Sequence, residues 1–280
     1  MAGMVREPQL SRLGEFLRRR RAEIDPEEAG QATARRTRRV PGLRREEVAR
    51  LAAISTDYYT RLEQGRVQAS EPVLAELAKV LRLNDDQRIY LFELAGKGAA
   101  PRQAAEGPQQ LQPQLRRILD DLNTTPAFIV GRRTDILAWN HTAASLFCDF
   151  GKIPEPERNF IWQMFTDTPI RRSHARWEES GQISVAQLRM EAARYPDDQP
   201  LAALVRELSK RNPHFRQWWT EHEVQTRTGG HTTLYHPDFG ELEVDWTTLL
   251  CADDPDLQLI MWTTEPGTPA HDAFRQLSTG

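Results

Sequence analysis

Apolar residues in the first third of the chain recur at three- and four-residue spacing and break off at polar or glycine positions, which predicts a run of short amphipathic helices. Leu10, Leu13, Phe16 and Leu17 form one stripe over residues 10–21. Val48, Ala49, Leu51 and Ala52 make the inner side of a second helix, which breaks at Ala53-Ile54. Ser55 then reads as an N-cap, because its hydroxyl can accept from a free backbone N–H of the next turn. Tyr59 and Leu62 share the inward face of a third helix, and Gly65 ends it, since glycine enters the left-handed region at little cost. Val73, Leu74, Leu77, Val80 and Leu81 mark a fourth helix; Ile89, Leu91, Phe92 and Leu94 mark a fifth over residues 85–95. The expected product is an all-α five-helix bundle over residues 1–96.

Residues 97–113 are rich in Gly, Pro, Ala and Gln, offer little to bury, and are expected to form a linker. The pattern then changes over residues 114–280. Leu115, Ile118, Leu119 and Leu122 make a helical stripe, and Phe128–Val130 and Ile136–Trp139 read as a hairpin. A helix is expected at 142–147, the middle of the domain is expected to be helical, including 185–195 and 201–210, and Pro213 opens one more helix through Phe215, Trp218 and Trp219. Residues 223–228 are expected to run into a Gly229-Gly230 turn and return along 231–236, with a second turn at 237–240. Residues 241–250 alternate, Leu242, Val244 and Trp246 facing one side and Glu243 and Asp245 the other, and 257–264 closes the set. Two early strands, three late ones and helices between them predict an α+β domain with a five-stranded antiparallel sheet of PAS-like type.

Helices two and three, joined by a tight turn and basic on the outside, fit a helix-turn-helix docking on double-stranded DNA. Charge agrees. The chain carries a formal −3, yet residues 1–82 hold 17 Lys or Arg against 12 Asp or Glu, a balance of +5 that leaves −8 to the rest. Such asymmetry points the basic half at a polyanion. Only the first turns of a recognition helix reach base edges, so Thr56, Asp57 and Arg61 are the expected base contacts. Arg61 can take guanine O6 and N7. Asp57 can accept from cytosine N4 or orient Arg61, and the sequence leaves both open. Arg44 and Arg45 open the preceding helix, where it crosses the backbone, and with Tyr58, Thr60, Gln64 and Arg66 they are the expected phosphate contacts. Arg18 to Arg21 point around their helix and are expected to be mostly solvated, while Arg35, Arg36, Arg38 and Arg39 are expected in a loop, either with some of them trailing along the duplex backbone or disordered until it binds.

The string from Val40 to Ala49 (Val-Pro-Gly-Leu-Arg-Arg-Glu-Glu-Val-Ala) and that from Asp57 to Arg66 (Asp-Tyr-Tyr-Thr-Arg-Leu-Glu-Gln-Gly-Arg) closely resemble XRE-type regulators with an MmyB-like ligand-binding domain. One departure is Ala53, where such regulators place glycine; a left-handed residue with a Cβ costs roughly 1 kcal/mol or more. The likeness continues through residues 126–130, 135–140, 186–189 and 236–242. It implies a PAS-like pocket between sheet and helices for a small apolar ligand, a fatty acid being the best-supported type. All seven tryptophans fall in this half. The expected pocket residues are Phe128, Trp139, Phe147, Trp162, Phe165, Trp246 and Met261, with Asn140 or Arg189 on a polar head group.

Other chemistry finds little support. No run of 18 apolar residues is long enough to span a membrane, and the N-terminus lacks a signal-peptide core. Cys148 and Cys251 make no disulfide or metal framework and read as small core side chains, so a cytoplasmic location is expected. His222, His231 and His236 lack helical metal-ligand spacing and read as surface-strand residues; Glu178-Glu179 and Asp253-Asp254 read as solvated charge. No phosphate loop, nucleophile elbow or zinc-protease motif is present, so neither enzyme activity nor a cofactor is expected. The expected protein is a ligand-responsive, DNA-binding transcriptional regulator, a homodimer on a two-fold operator. The alternative is a DNA-bound dimerisation or recruitment scaffold with no ligand.

Overall fold

A computed structural model describes residues 7–25, 42–97, 109, 111–166, 168–224, 227–252, 254 and 256–279. The basic run at 35–39, residues 98–108 and Asp253 lie outside the described residues. The chain divides into two compact units, one drawing on residues up to 104 with 192–198, the other on 105–191 and 199–280.

The first unit holds α1 (Glu7–Glu23), α2 (Arg45–Leu51), α3 (Thr56–Glu63), α4 (Glu71–Val80) and α5 (Asp85–Leu94). Leu13, Phe16, Leu17, Val48, Tyr59, Leu62, Leu74, Leu77 and Leu91 are wholly buried, and the Phe16 and Tyr90 rings meet edge-on at 5.2 Å. Two expected core positions face out. Leu51 is exposed because the inward face of α2 runs through Val48, Ala49 and Ala52; Ile89 is exposed because Tyr90 takes the inward place on α5. Gly14 lets α1 approach α3 closely: a Cβ there would sit 2.3 Å from the Glu63 carbonyl oxygen.

Each helix from α2 to α5 ends in the same way. The residue after the C-cap turns left-handed and donates its N–H three residues back, and the next donates five back. Ala53 and Ile54 bond Arg50 and Ala49, Gly65 and Arg66 bond Leu62 and Arg61, Arg82 and Leu83 bond Lys79 and Ala78, and Gly96 and Lys97 bond Glu93 and Phe92. These are Schellman closures, which satisfy carbonyls left without a helical partner.

From residue 113 the order is α6 (Pro113–Asp121), β1 (Ala127–Val130), β2 (Ile136–Trp139), α7 (His141–Leu146), α8 (Phe160–Phe165), α9 (Pro169–Ser173), α10 (Trp177–Arg194), α11 (Gln199–Arg211), α12 (Pro213–Thr220), β3 (Gly229–His236), β4 (Gly240–Leu250), β5 (Gln258–Thr263) and α13 (Pro269–Leu277). The five strands form one antiparallel sheet in the order β2-β1-β5-β4-β3. Register puts Phe128, Trp139, Trp246 and Trp262 on one face. The other face buries Ala127, Ile129, Ala138 and Leu259 against Leu119 of α6.

Several expectations need correction. Gly229 and Gly230 open β3, paired with Thr247 and Trp246, rather than forming a turn. The reason is the Trp246 indole, whose Nε1 would be 3.1 Å from a Cβ at Gly230. Of the run at 223–228 expected to lead into that turn, the described residues 223, 224, 227 and 228 are not part of the ladder. The end of the expected linker is anchored: the Gln109 amide oxygen accepts from the Arg132 N–H at 3.1 Å, and Leu111 packs on the α6 core. Helices α8 and α9 lie in the middle of the domain, which was expected to be helical, and α13 was not expected. Cys148 and Cys251 are only half-buried.

Candidate nucleic-acid interface and ligand domain

The opening of α3 is built locally. The Ala53 turn stops α2, and the Ser55 hydroxyl accepts from the Tyr58 N–H at 3.1 Å. Tyr59 and Leu62 anchor the inner side, as expected, which leaves Thr56, Asp57 and Arg61 exposed on the outer side. Arg61 Nη2 lies 2.9 Å from Asp57 Oδ2, an exposed i,i+4 ion pair.

The expected phosphate contacts fall into two kinds. Arg44, Gln64 and Arg66 are exposed and Thr60 is half-buried. Arg44 reaches Glu46 at 3.4 Å, and its backbone N–H donates to the Glu47 carboxylate at 2.7 Å. The remaining two are engaged: the Tyr58 hydroxyl donates to the Gln68 carbonyl at 3.1 Å, and Arg45 Nε donates to Glu63 at 2.6 Å.

Glu63 was not anticipated. It sits at the end of α3, 1% exposed, and its carboxylate also takes Arg21 Nε at 2.6 Å. Arg21 Nη1 donates to the Leu43 carbonyl at 2.6 Å. Burial works against the Arg21 charge, but Glu63 outweighs it, so the Arg21 pKa is raised. Burial, and then the Glu63 charge, raises the Tyr59 hydroxyl pKa. The arginine run therefore divides: Arg18 is exposed, whereas Arg20 and Arg21 are buried, Arg20 over the Phe16 ring at 5.5 Å. The available signal was an acid one residue after Leu62, on the inward side of α3.

The expected pocket residues separate into three groups. Phe128, Trp139 and Phe147 share one aromatic cluster with Phe150, Phe160 and Trp262, Phe128 lying 5.0 Å from Trp262 and 6.3 Å from Phe147. Trp246 is on the same sheet face. Trp162 and Phe165 belong instead to the helices: Arg211 covers Trp162 at 5.0 Å, and Phe165 packs on Phe215 and Trp218. Met261 points to the opposite face, against the α6 core. Asn140 caps α7 and is saturated. Its oxygen accepts from Ala127 and Ala143, and its nitrogen donates to Leu122 and Thr125 carbonyls, which leaves nothing for a head group. Arg189 is buried, stacked over Trp219 at 4.4 Å and 3.1 Å from His222 Nδ1.

His174 was also missed. It is buried in the aromatic cluster, its ring stacked on Phe147 and its Nδ1 donating to the Ile170 carbonyl at 2.7 Å. Burial lowers its pKa to about 4, with the Ile170 bond opposing in part, so the ring is neutral. Of the three histidines noted in the sequence, only His231 is an exposed strand residue, set between Asp245 and Glu243. His236 is buried beside the Ser145 carbonyl, and His222 takes a left-handed turn conformation. Among the described residues no His, Cys, Asp and Glu grouping could hold a metal ion, and no helix is long and apolar enough to cross a membrane.

Compared with known families, residues 111–277 match the model of the MmyB-like transcription regulator ligand binding domain, and residues 12–91 match that of a helix-turn-helix domain. No curated protein matches the chain.

Proposed function

The chain belongs to the transcription regulators with an MmyB-like ligand binding domain, and from that premise we propose that it is a sequence-specific, XRE-type regulator whose second half senses a small apolar ligand of fatty-acid type. Its two matched domains are those of a DNA-binding regulator and not of an enzyme family. Thr56, Asp57 and Arg61 read bases, while Arg44, Arg45, Tyr58, Thr60, Gln64 and Arg66 hold phosphates. The protein acts as a cytoplasmic homodimer, matching the two-fold symmetry of its operator.

The strand order β2-β1-β5-β4-β3 supports a PAS-like reading of the sheet. The observation that carries the sensor reading is the aromatic cluster of Phe128, Trp139, Phe147 and Trp262, gathered on one sheet face beside α7 and α8. Ligand sites are mostly apolar with a few placed polar groups, and His174 is a buried polar group in this cluster, whereas Arg189 stacks on Trp219 of α12.

Native mass spectrometry of protein purified without added ligand, followed by denaturing extraction, tests this. The expected result is a near-stoichiometric apolar small molecule on a dimer. A dimer with no such molecule, unresponsive to fatty acids, would favour the scaffold reading instead.

A further inference from the structure

Glu63 joins three helices of the first unit through two arginines of unequal standing. Arg21 comes from α1, with its side chain 8% exposed; it gives Nε and Nη2 to Glu63 and Nη1 to the Leu43 carbonyl, so each of its nitrogens is engaged inside the protein. Arg45 comes from the first position of α2 and meets the same carboxylate through Nε at 2.6 Å, yet its side chain is 44% exposed. One buried carboxylate between two guanidinium groups leaves a net charge of +1. Arg21 suffices to balance Glu63, and the surplus charge resides on Arg45, the partner that solvent reaches.

A guanidinium held by Nε keeps its Nη1–Nη2 edge for a second oxyanion, because the planar group presents its donors in fixed directions. We propose that Glu63 is a positioning residue for DNA binding: it grips Arg45 by Nε and turns the outer edge of the guanidinium into a preformed site for a phosphodiester oxygen. This rests on Arg45 being a phosphate contact and adds how that contact is held. A freely rotating arginine would have to be ordered on binding; here the ordering is done in the free protein. Lysine cannot replace it, since one ammonium nitrogen drawn to Glu63 has no separate edge to offer a phosphate.

The test uses the full chain and a random-sequence duplex of about 30 base pairs, because a phosphate contact is independent of sequence. Affinity is measured from about 50 to about 200 mM salt for the wild type, Arg45→Ala and Arg45→Lys, with circular dichroism to verify folding. The expected result is that both variants bind roughly tenfold more weakly and that both lose about 0.9 from the slope of log affinity against log salt, although Lys keeps the charge. If Arg45→Lys behaves as wild type while Arg45→Ala loses affinity, Arg45 contacts phosphate without being positioned by Glu63, and the proposal is overturned. Slopes unchanged in both variants would remove Arg45 from the phosphate contacts altogether.

Discussion

Arg61 stands one helical turn beyond Asp57 on the exposed opening of α3, and the 2.9 Å ion pair between them fixes its direction without burying it. An exposed pair of this kind adds little stability. In the proposed base-reading role, the pair holds the guanidinium for a bidentate contact with guanine. Arg61→Ala is expected to lower discrimination at one base pair by about 1–3 kcal/mol. Selection of bound sequences from a random oligonucleotide pool checks this, and an unchanged selected motif would remove Arg61 from the base-reading set. These outward positions were legible because a helix period assigns faces once Tyr59 and Leu62 are placed inside. The partners of Glu63 were not, because Arg21 lies 42 residues away in sequence and only the packing of α1 on α3 brings it near.

The four Schellman closures of the first unit use glycine twice and side-chain-bearing residues twice, with Ala53 at φ 53° and Arg82 at φ 49°. Ala53 is exposed, so its methyl group contributes no packing to offset the left-handed strain. Ala53→Gly is therefore expected to stabilise the protein by about 0.5–1 kcal/mol, the relief of strain exceeding the added freedom of the unfolded chain. Chemical denaturation followed by far-ultraviolet circular dichroism measures it; a loss of stability would mean that the turn carries no strain. Elements with a strong local cap were readable, as with Ser55 before α3 and Pro213 at the start of α12. The last helix, α13, carries equal signals in the sequence: a Thr268 cap, Pro269, and Ala270, Ala273, Phe274 and Leu277 at helical spacing. Gly229-Gly230 misled for a physical reason: the pair usually turns a chain, but here it makes room for an indole from the neighbouring strand.

At the scale of the whole molecule, stability should depend on pH through two histidines of opposite sign. The His174 pKa, lowered by burial to about 4 from an ordinary 6.5, means that the folded state binds fewer protons than the unfolded one between those values. Its contribution is complete above about pH 6.5 and disappears as pH falls toward 4, an effect of the order of 3 kcal/mol. His231 is raised by its bonds to Glu243 and then Asp245, so its contribution is present at low pH and is lost as pH rises through its raised value; being exposed, it adds little. Every tryptophan lies between residues 139 and 262, so tryptophan fluorescence follows the half of the chain that holds His174. Its unfolding midpoint is expected to fall from about pH 7 to about pH 4, and His174→Phe should flatten that fall. An equal fall in both proteins would place the pH sensitivity elsewhere.

What the sequence determined by itself was whatever depends on short range: helix faces, caps, the alternation of β4 and the basic opening of the helix-turn-helix, while the family was legible from its resemblance to known strings such as those at 40–49 and 57–66. Periodicity and capping act within a few residues, so they can be read along a line. The tertiary structure decided which side chains with unused chemistry find one another. It spent Asn140 on four backbone groups, sent Met261 to the far side of the sheet, buried His174 among aromatic rings, and set Arg21 and Arg45 on one carboxylate. Those outcomes follow from where distant segments pack, and no local spacing encodes the distance between them.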